Sequence, residues 1–204
     1  MSTATINNQA NTSQGQFVAA RMITADGELI KNPVLAPAKI GALTTRSSAT
    51  AGTLTMNTGH GITNGRLDIY WTNADGTTGR RWGATATVTG DSVAFTGGSG
   101  DNLPTLVGGT YAITAMVPQL EAFAYLRTNI VAFFASCQYP ATVVVRNSVP
   151  AELVAAQITG ASGAYMWDSA NGVSTPFGTD PVEVYLSHGS PDFSAAVTAM
   201  ALIN

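Results

Sequence analysis

Charge is scarce in this chain. Of its 204 residues only 10% are Asp, Glu, Lys or Arg, against roughly 25% in ordinary soluble domains. Nine basic and twelve acidic side chains leave a net charge of −3, and Arg80-Arg81 is the only adjacent basic pair. A protein that grips nucleic acid does so with clustered Lys and Arg; that electrostatic footprint is absent. The deficit is uneven. Residues 1–117 hold seven basic and six acidic side chains, and residues 118–204 hold two and six. A surface this poor in charge is weakly protected against association. Two readings stay open: neighbouring subunits cover it through Thr, Ser, Asn and Gly, or it belongs to a monomer with a Thr/Ser-rich exterior.

Cysteine is nearly missing. Cys137 is alone, so no intrachain disulfide can form. It lies in the apolar run "IVAFFASCQ" and reads as a small buried hydrophobe. No stretch approaches 18 apolar residues, so no transmembrane helix and no membrane partner are expected. The opening "MSTATINNQANTSQGQF" has neither a charged n-region nor an apolar h-region, and does not read as a signal peptide. Helical periodicity is sparse as well.

What is present is alternation, broken by turn residues. "QFVAARMITADGELI" reads as strand, Asp26-Gly27 turn, strand, and "KNPVLAPAKIG", with two prolines, as an extended linker. In "AGTLTMNTGHGI" Leu54 and Met56 alternate with Thr53 and Thr55. "GRLDIYW" puts Leu67, Ile69 and Trp71 on one strand face. Asp75-Gly76 signals a two-residue hairpin turn. That turn would pair Ile69 with Trp82 and Trp71 with Arg80, placing both tryptophans on one face. They read as a core or interface cluster, with a sugar-stacking platform as the other possibility.

Beyond a boundary near Val117-Pro118, seven short apolar segments follow at even spacing, from "QLEAFAYL" to "AAVTAMALIN". This fits a small antiparallel sandwich. Within it, "FAYLRTNIVAFFASC" could form strands or a helix; its β-branched and aromatic content favours strands. The expected fold is all-β. An extended N-terminal arm, hairpin and linker occupy 1–39, a small barrel-like module 40–117, and an antiparallel sandwich 118–204.

Residues that carry chemistry are few. His60 in "GHG" and His188 in "SHGS" have no local nucleophile or orienting carboxylate, and no metal-ligand spacing occurs. Both read as turn or surface residues. "GGSGDN" lacks the lysine and hydroxyl of a phosphate loop and precedes Leu-Pro rather than a helix. Asp168 in "WDSANG" reads as a turn cap. A glycosidase-type carboxylate pair needs only to meet in space, and sequence alone leaves it open. No catalytic residue, metal or cofactor is expected.

"GTLTMNTGHGITNGRLDIYW" followed by "GGSGDNLPTLVGGTYAI" resembles a module of tailed-bacteriophage virion proteins. The pattern is a strand, GHG-hydrophobic-x-x-G, a strand, and later LP-x-x-x-x-G-T-Y before a final strand. The matching positions are Gly59, His60, Gly61, Ile62 and Gly65, then Leu103, Pro104, Gly109, Thr110 and Tyr111. "YMWDSANGVSTPFGTDPVEVYLSHGS" also looks like a phage-type sandwich domain. The "TNADGTTGRR" hairpin is longer than the pattern and could hold specific contacts. The resemblance implies a structural virion component: a capsid decoration or a tail or neck part, assembled in the host cytoplasm. Its partners would be copies of itself and other virion proteins, such as capsid or tail subunits, bound through many weak contacts. The expected partner-binding residues are Ile6 and Phe17 in and beside the arm, and Trp71, Arg80, Arg81 and Trp82 on the hairpin.

Overall fold

The computed structural model describes residues 27–123, 130–137, 141–147, 152–158, 163–168 and 182–203. Among them there are strands and no helix. In chain order the strands are β1 (Gly27–Lys31), β2 (Val34–Leu35), β3 (Lys39–Arg46), β4 (Ala51–Met56), β5 (Gly65–Thr72) and β6 (Thr78–Thr89). Next come β7 (Ser92–Thr96), β8 (Ser99–Gly100), β9 (Tyr111–Met116), β10 (Gln119–Phe123) and β11 (Ile130–Cys137). The last are β12 (Ala141–Asn147), β13 (Glu152–Ile158), β14 (Gly163–Asp168), β15 (Val182–Ser187) and β16 (Ala195–Ile203). Two compact units divide them. One comprises Val34–Gln119 together with Leu186–Ala195; the other holds the remaining described residues.

The first unit is a closed antiparallel barrel. Its sheet runs β5-β9-β3-β4-β7-β6, and β6 pairs back onto β5. β8 attaches to β6 outside the closure. Closure leaves these six strands without a free edge. The alternation read from the sequence sorts the two faces. Leu54 and Met56 point inward with Leu43, Leu67, Ile69, Val93, Phe95 and Ile113, all buried in one cluster, while Thr55, Ala94 and Thr96 are exposed. Each fully buried Leu or Ile contributes about 1.5–3 kcal/mol. The interior is filled by side chains and works as a core.

The β5–β6 hairpin departs from the expected register. Ile69 pairs with Arg81 and Trp71 with Gly79. A five-residue loop replaces the two-residue turn. Asn73 N donates to Thr77 O at 2.8 Å, and Thr77 N donates to Asp75 Oδ1 at 3.0 Å. Gly79 explains the choice: a Cβ there would lie 2.1 Å from Trp71 Nε1. The indole therefore needs a glycine opposite it, and a one-residue slip moves every following side chain to the other face. Further along, Asp68 faces two residues, Trp82 and Gly83. This bulge is held by Gly83 N donating to Asp68 Oδ1 at 2.8 Å and is permitted by φ +70° at Gly83. Trp71 and Trp82 consequently lie on opposite faces of the sheet.

In the second unit all seven segments after residue 118 contain strands, β10 to β16. They form two sheets, in the orders β1-β16-β11-β14 and β10-β15-β12-β13. Of the ambiguous stretch, Phe123 ends β10 and Ile130–Cys137 forms β11, as β-branched and aromatic residues favour, and residues 124–129 lie outside the described residues. The N-terminal arm lies outside the described residues.

Candidate functional site

The hairpin residues expected to bind partners separate into two groups. Trp71 is 4% exposed, belongs to the barrel core, and donates from Nε1 to Asn73 Oδ1 at 2.8 Å. Arg81 shares its inward face and is also buried. Its guanidinium donates to the carbonyls of Gly97 (3.0 Å), Gly98 (2.8 Å), Gly100 (3.4 Å) and Asp101 (2.8 Å). The glycine-rich loop is thus the inverse of a phosphate loop. Left-handed φ values at Gly97, Gly98 and Gly100 accompany carbonyl oxygens turned onto a cation, where a phosphate loop would turn N–H groups onto an anion. Burial pushes the Arg81 pKa down, and Asp101 partly offsets that.

Arg80 and Trp82 lie on the outer face and are half-buried. The Arg80 guanidinium sits 5.4 Å from the Trp82 ring centroid, a cation–π pair. Asp101 Oδ2 accepts from Arg80 N at 3.0 Å, which ties the loop to the same strand. Of these four hairpin residues, Arg80 and Trp82 keep part of their surface exposed, and Trp71 and Arg81 are interior. A sugar-stacking platform shared by Trp71 and Trp82 is ruled out by this geometry. Ile6 and Phe17 lie outside the described residues.

His60 is buried, and both ring nitrogens are occupied. Ile62 N donates to Nδ1 at 2.9 Å, and Nε2 lies 3.2 Å from Gly90 O. Nδ1 accepts, so the proton resides on Nε2 and is donated to Gly90 O. Gly59 and Gly61, at φ +80° and +70°, give the chain the path that aims the ring. The histidine pins the β4–β5 connection to the β6–β7 turn.

His188 repeats this device in the returning segment Leu186–Ala195. Ser190 N donates to Nδ1 at 3.3 Å, and Nε2 donates to Ala36 O at 2.9 Å. The ring stacks on Phe193 with centroids 6.5 Å apart. Burial pushes its pKa below the ordinary histidine value, with the carbonyls of Ala36 and Leu35 pulling the other way. Its neighbour Ser187 is fully buried, 2.5 Å from Asp68 Oδ2 and 2.6 Å from the Tyr70 hydroxyl. Thr114 Oγ1 donates to Gly189 O at 2.7 Å, and Ala38 N donates to Ser190 O at 2.9 Å. Together these bonds strap residues 186–195 onto the outside of the barrel.

Ser187, His188 and Asp68 are the three residue types of a hydrolytic triad, but their order is wrong for one. A triad places the imidazole between hydroxyl and carboxylate. Here Ser187 donates directly to Asp68, and His188 is engaged with Ala36. The hydroxyl meets a carboxylate where a triad would offer an imidazole, and it is fully buried. The arrangement holds the strap in place.

Sequence reasoning missed Asp68, Tyr70, Ser187 and Gly189 as partners because 75 or more residues separate the bonded pairs. The one available signal was the repeated His-Gly of "GHGI" and "SHGS". Among the described residues, no group of His, Cys, Asp and Glu could hold a metal ion, and no helix is long and apolar enough to cross a membrane. Comparison with protein-family models, curated proteins and solved structures finds no match for this chain.

Proposed function

We propose that this chain is a structural subunit of a tailed-bacteriophage virion, a capsid decoration or a tail or neck component, that acts through repeated contacts with copies of itself and with other virion proteins. The observation that carries the reading is the outer face of β4, β7 and the distal half of β6. Its outward positions include Thr53, Thr55, Ala94, Thr96, Thr85 and Thr87, with Ser92 and Thr89 at one end. No charged side chain interrupts it. A smooth, uncharged, hydroxyl-rich sheet face suits packing against neighbours held in an array, where many weak contacts add. The buried polar groups of the barrel point the same way. His60, Arg81, Asp68 and Ser187 all hold loops and the strap to the barrel wall. The sandwich character of the second unit and a partner-docking arm at residues 1–16 belong to the same proposal.

Immunogold labelling of purified particles tests it. Label at a regular position is expected. Charging the face with Thr87→Lys and Ala94→Lys should sharply reduce incorporation while the protein stays folded. Infectious particles that contain none of this protein would overturn the reading.

A further inference from the structure

The outward side of a barrel strand ordinarily faces water. On β5 it does not. Leu67, Ile69 and Trp71 point into the core, so Asp68 and Tyr70 point outward, yet these two are only 1% and 6% exposed. The strap covers them. Ser187 bonds both the Asp68 carboxylate and the Tyr70 hydroxyl, and Gly189 lies against the root of the Tyr70 side chain. Thr114, outward on the neighbouring β9, donates to Gly189 O.

This cover is separable from what it covers. Every member of the barrel's core cluster falls between Leu43 and Ala115, and none comes from the strap. The closed sheet consists of β3, β4, β5, β6, β7 and β9. Lifting the strap would break hydrogen bonds on the outer wall and leave both the sheet and the core in place. Regions with this arrangement can open locally at a cost below that of global unfolding.

His188 decides whether the strap stays down. It is fully buried, its Nε2 donates to Ala36 O, and its Nδ1 accepts from Ser190 N at 3.3 Å. A second proton would go to Nδ1 and set one N–H against another. Both ring nitrogens are already engaged with backbone groups, so no carboxylate is bonded to the ring. The titratable groups around it are committed elsewhere or displaced along the chain. Asp68 and Tyr70 on β5 bond Ser187, and His60, which borders the same pocket as Ala36, bonds Ile62 N and Gly90 O. Lys39 lies three residues beyond Ala36 at the start of β3, and Asp192 lies two residues beyond Ser190 on the strap. A buried imidazolium with no bonded counter-charge is unfavourable, and burial accordingly pushes the His188 pKa down.

We propose that protonation of His188 releases residues 187–192 from the barrel wall while the six-stranded barrel stays closed, so that mild acid uncovers Asp68, Tyr70 and Thr114. The strap is then an acid-operated cover, a property independent of the assembly reading given above. The sign follows from linkage. The ring titrates near 6.5 when released and lower when docked. Docking is therefore complete above about pH 6.5, and each pH unit below it favours release by up to about tenfold until the docked pKa is reached.

Hydrogen exchange followed by NMR on the full chain tests this. The reporters are the Ser190 amide, bonded to the ring, and the Ala38 amide, bonded to Ser190 O; amides of β4 and β7 report on the barrel. Corrected for the intrinsic pH dependence of exchange, protection of Ser190 and Ala38 should fall roughly 10–30-fold between pH 6.5 and 5, while β4 and β7 keep theirs. His188→Gln, which does not titrate, should abolish that fall, and His188→Asn serves if the glutamine variant misfolds. Ser187→Ala should loosen the strap at both pH values and preserve the ratio between them. Equal loss of protection in strap and barrel, strap protection that is the same at both pH values, or a fall that persists without the imidazole each overturns the proposal.

Discussion

The two His-Gly turns of the barrel unit use the same hydrogen-bond pattern for different tasks. In each, the imidazole Nδ1 accepts from the N–H two residues on, and Nε2 reaches a carbonyl on a distant segment. His60 spans 30 residues and closes the barrel's own loops, whereas His188 spans 152 and fastens a segment that returns from the far end of the sequence. Their glycines differ more sharply. Gly61 has φ +70° and nothing within 4 Å of where a Cβ would stand. Gly189 lies outside the left-handed region, but its Cβ would sit 2.8 Å from Tyr70 Cβ and Cγ. The same dipeptide is a requirement of backbone conformation in one place and of space in the other.

The strongest way to break this comparison is to substitute the glycines. Gly189→Ala should cost about 2–3 kcal/mol in denaturant unfolding. The clash is with the root of the Tyr70 side chain, and the Tyr70 hydroxyl is held by Ser187, so the ring has little room to move. Gly61→Ala should cost about 1–2 kcal/mol from left-handed strain. Asparagine separates the causes: Gly61→Asn should recover much of the loss, since Asn tolerates that conformation, and Gly189→Asn should recover none. Equal rescue at both sites would refute the distinction.

The histidines come next. His188→Ala should destabilise by about 2 kcal/mol, because it leaves Ala36 O and Ser190 N without a partner and removes a stacked ring. His60→Ala, at a site 8% exposed against 0% for His188, should lose about 1 kcal/mol. Hydrogen exchange locates each effect. The first should raise exchange in residues 186–195, the second around Ile62. A His188 variant that loosened both regions equally would show that the strap and the loops do not act separately.

Acid should sharpen the difference further. The folded state holds His188 neutral, with its pKa below 6.5, whereas the unfolded chain titrates near 6.5. Between those values the unfolded state binds more protons. Stability is therefore complete above about pH 6.5 and falls as pH drops below it, with a slope of at most about 1.4 kcal/mol per pH unit for one proton. His188→Gln should flatten that part of the curve, and His60→Gln should leave the contribution of His188 in place. A wild-type curve that is flat from pH 7 to 5, or one that His188→Gln leaves unchanged, would contradict this.

How much of this was legible in the sequence depended on the range of the interaction. Alternation in "TLTM" and "RLDIYW" identified the inward residues, because period-two patterning is local and burial enforces it. The glycines around His60 signalled a turn for the same reason. The hairpin register was not legible from Asp75-Gly76. The side chains of Asn73, Asp75 and Thr77 close a longer loop, and the Trp71–Gly79 contact selects the slip. A large residue opposite a glycine was the overlooked sign. Beyond the repeated His-Gly, nothing in the strap signalled its partners. Asp68 in a strand and Ser187 beyond residue 180 each look like ordinary polar residues, and only the fold shows that one receives the other's hydrogen bond.

The smallest expected effect tests whether the ring stack contributes to the behaviour of His188. Phe193 lies parallel to the imidazole, within 1°. Phe193→Leu keeps an apolar group over the strap but loses the stack, at about 0.5–1 kcal/mol. The face of the imidazole that Phe193 covers would then meet water more readily, and desolvation is the leading cause of its lowered pKa. The acid-induced loss of stability should therefore begin at the same pH and extend over a narrower range, because the folded pKa moves up towards the unfolded one. NMR titration of the His188 ring measures that shift directly. A folded pKa that moves down in Phe193→Leu, or stays where it is, would mean that the desolvation holding the ring neutral comes from the barrel wall and the strap and not from Phe193.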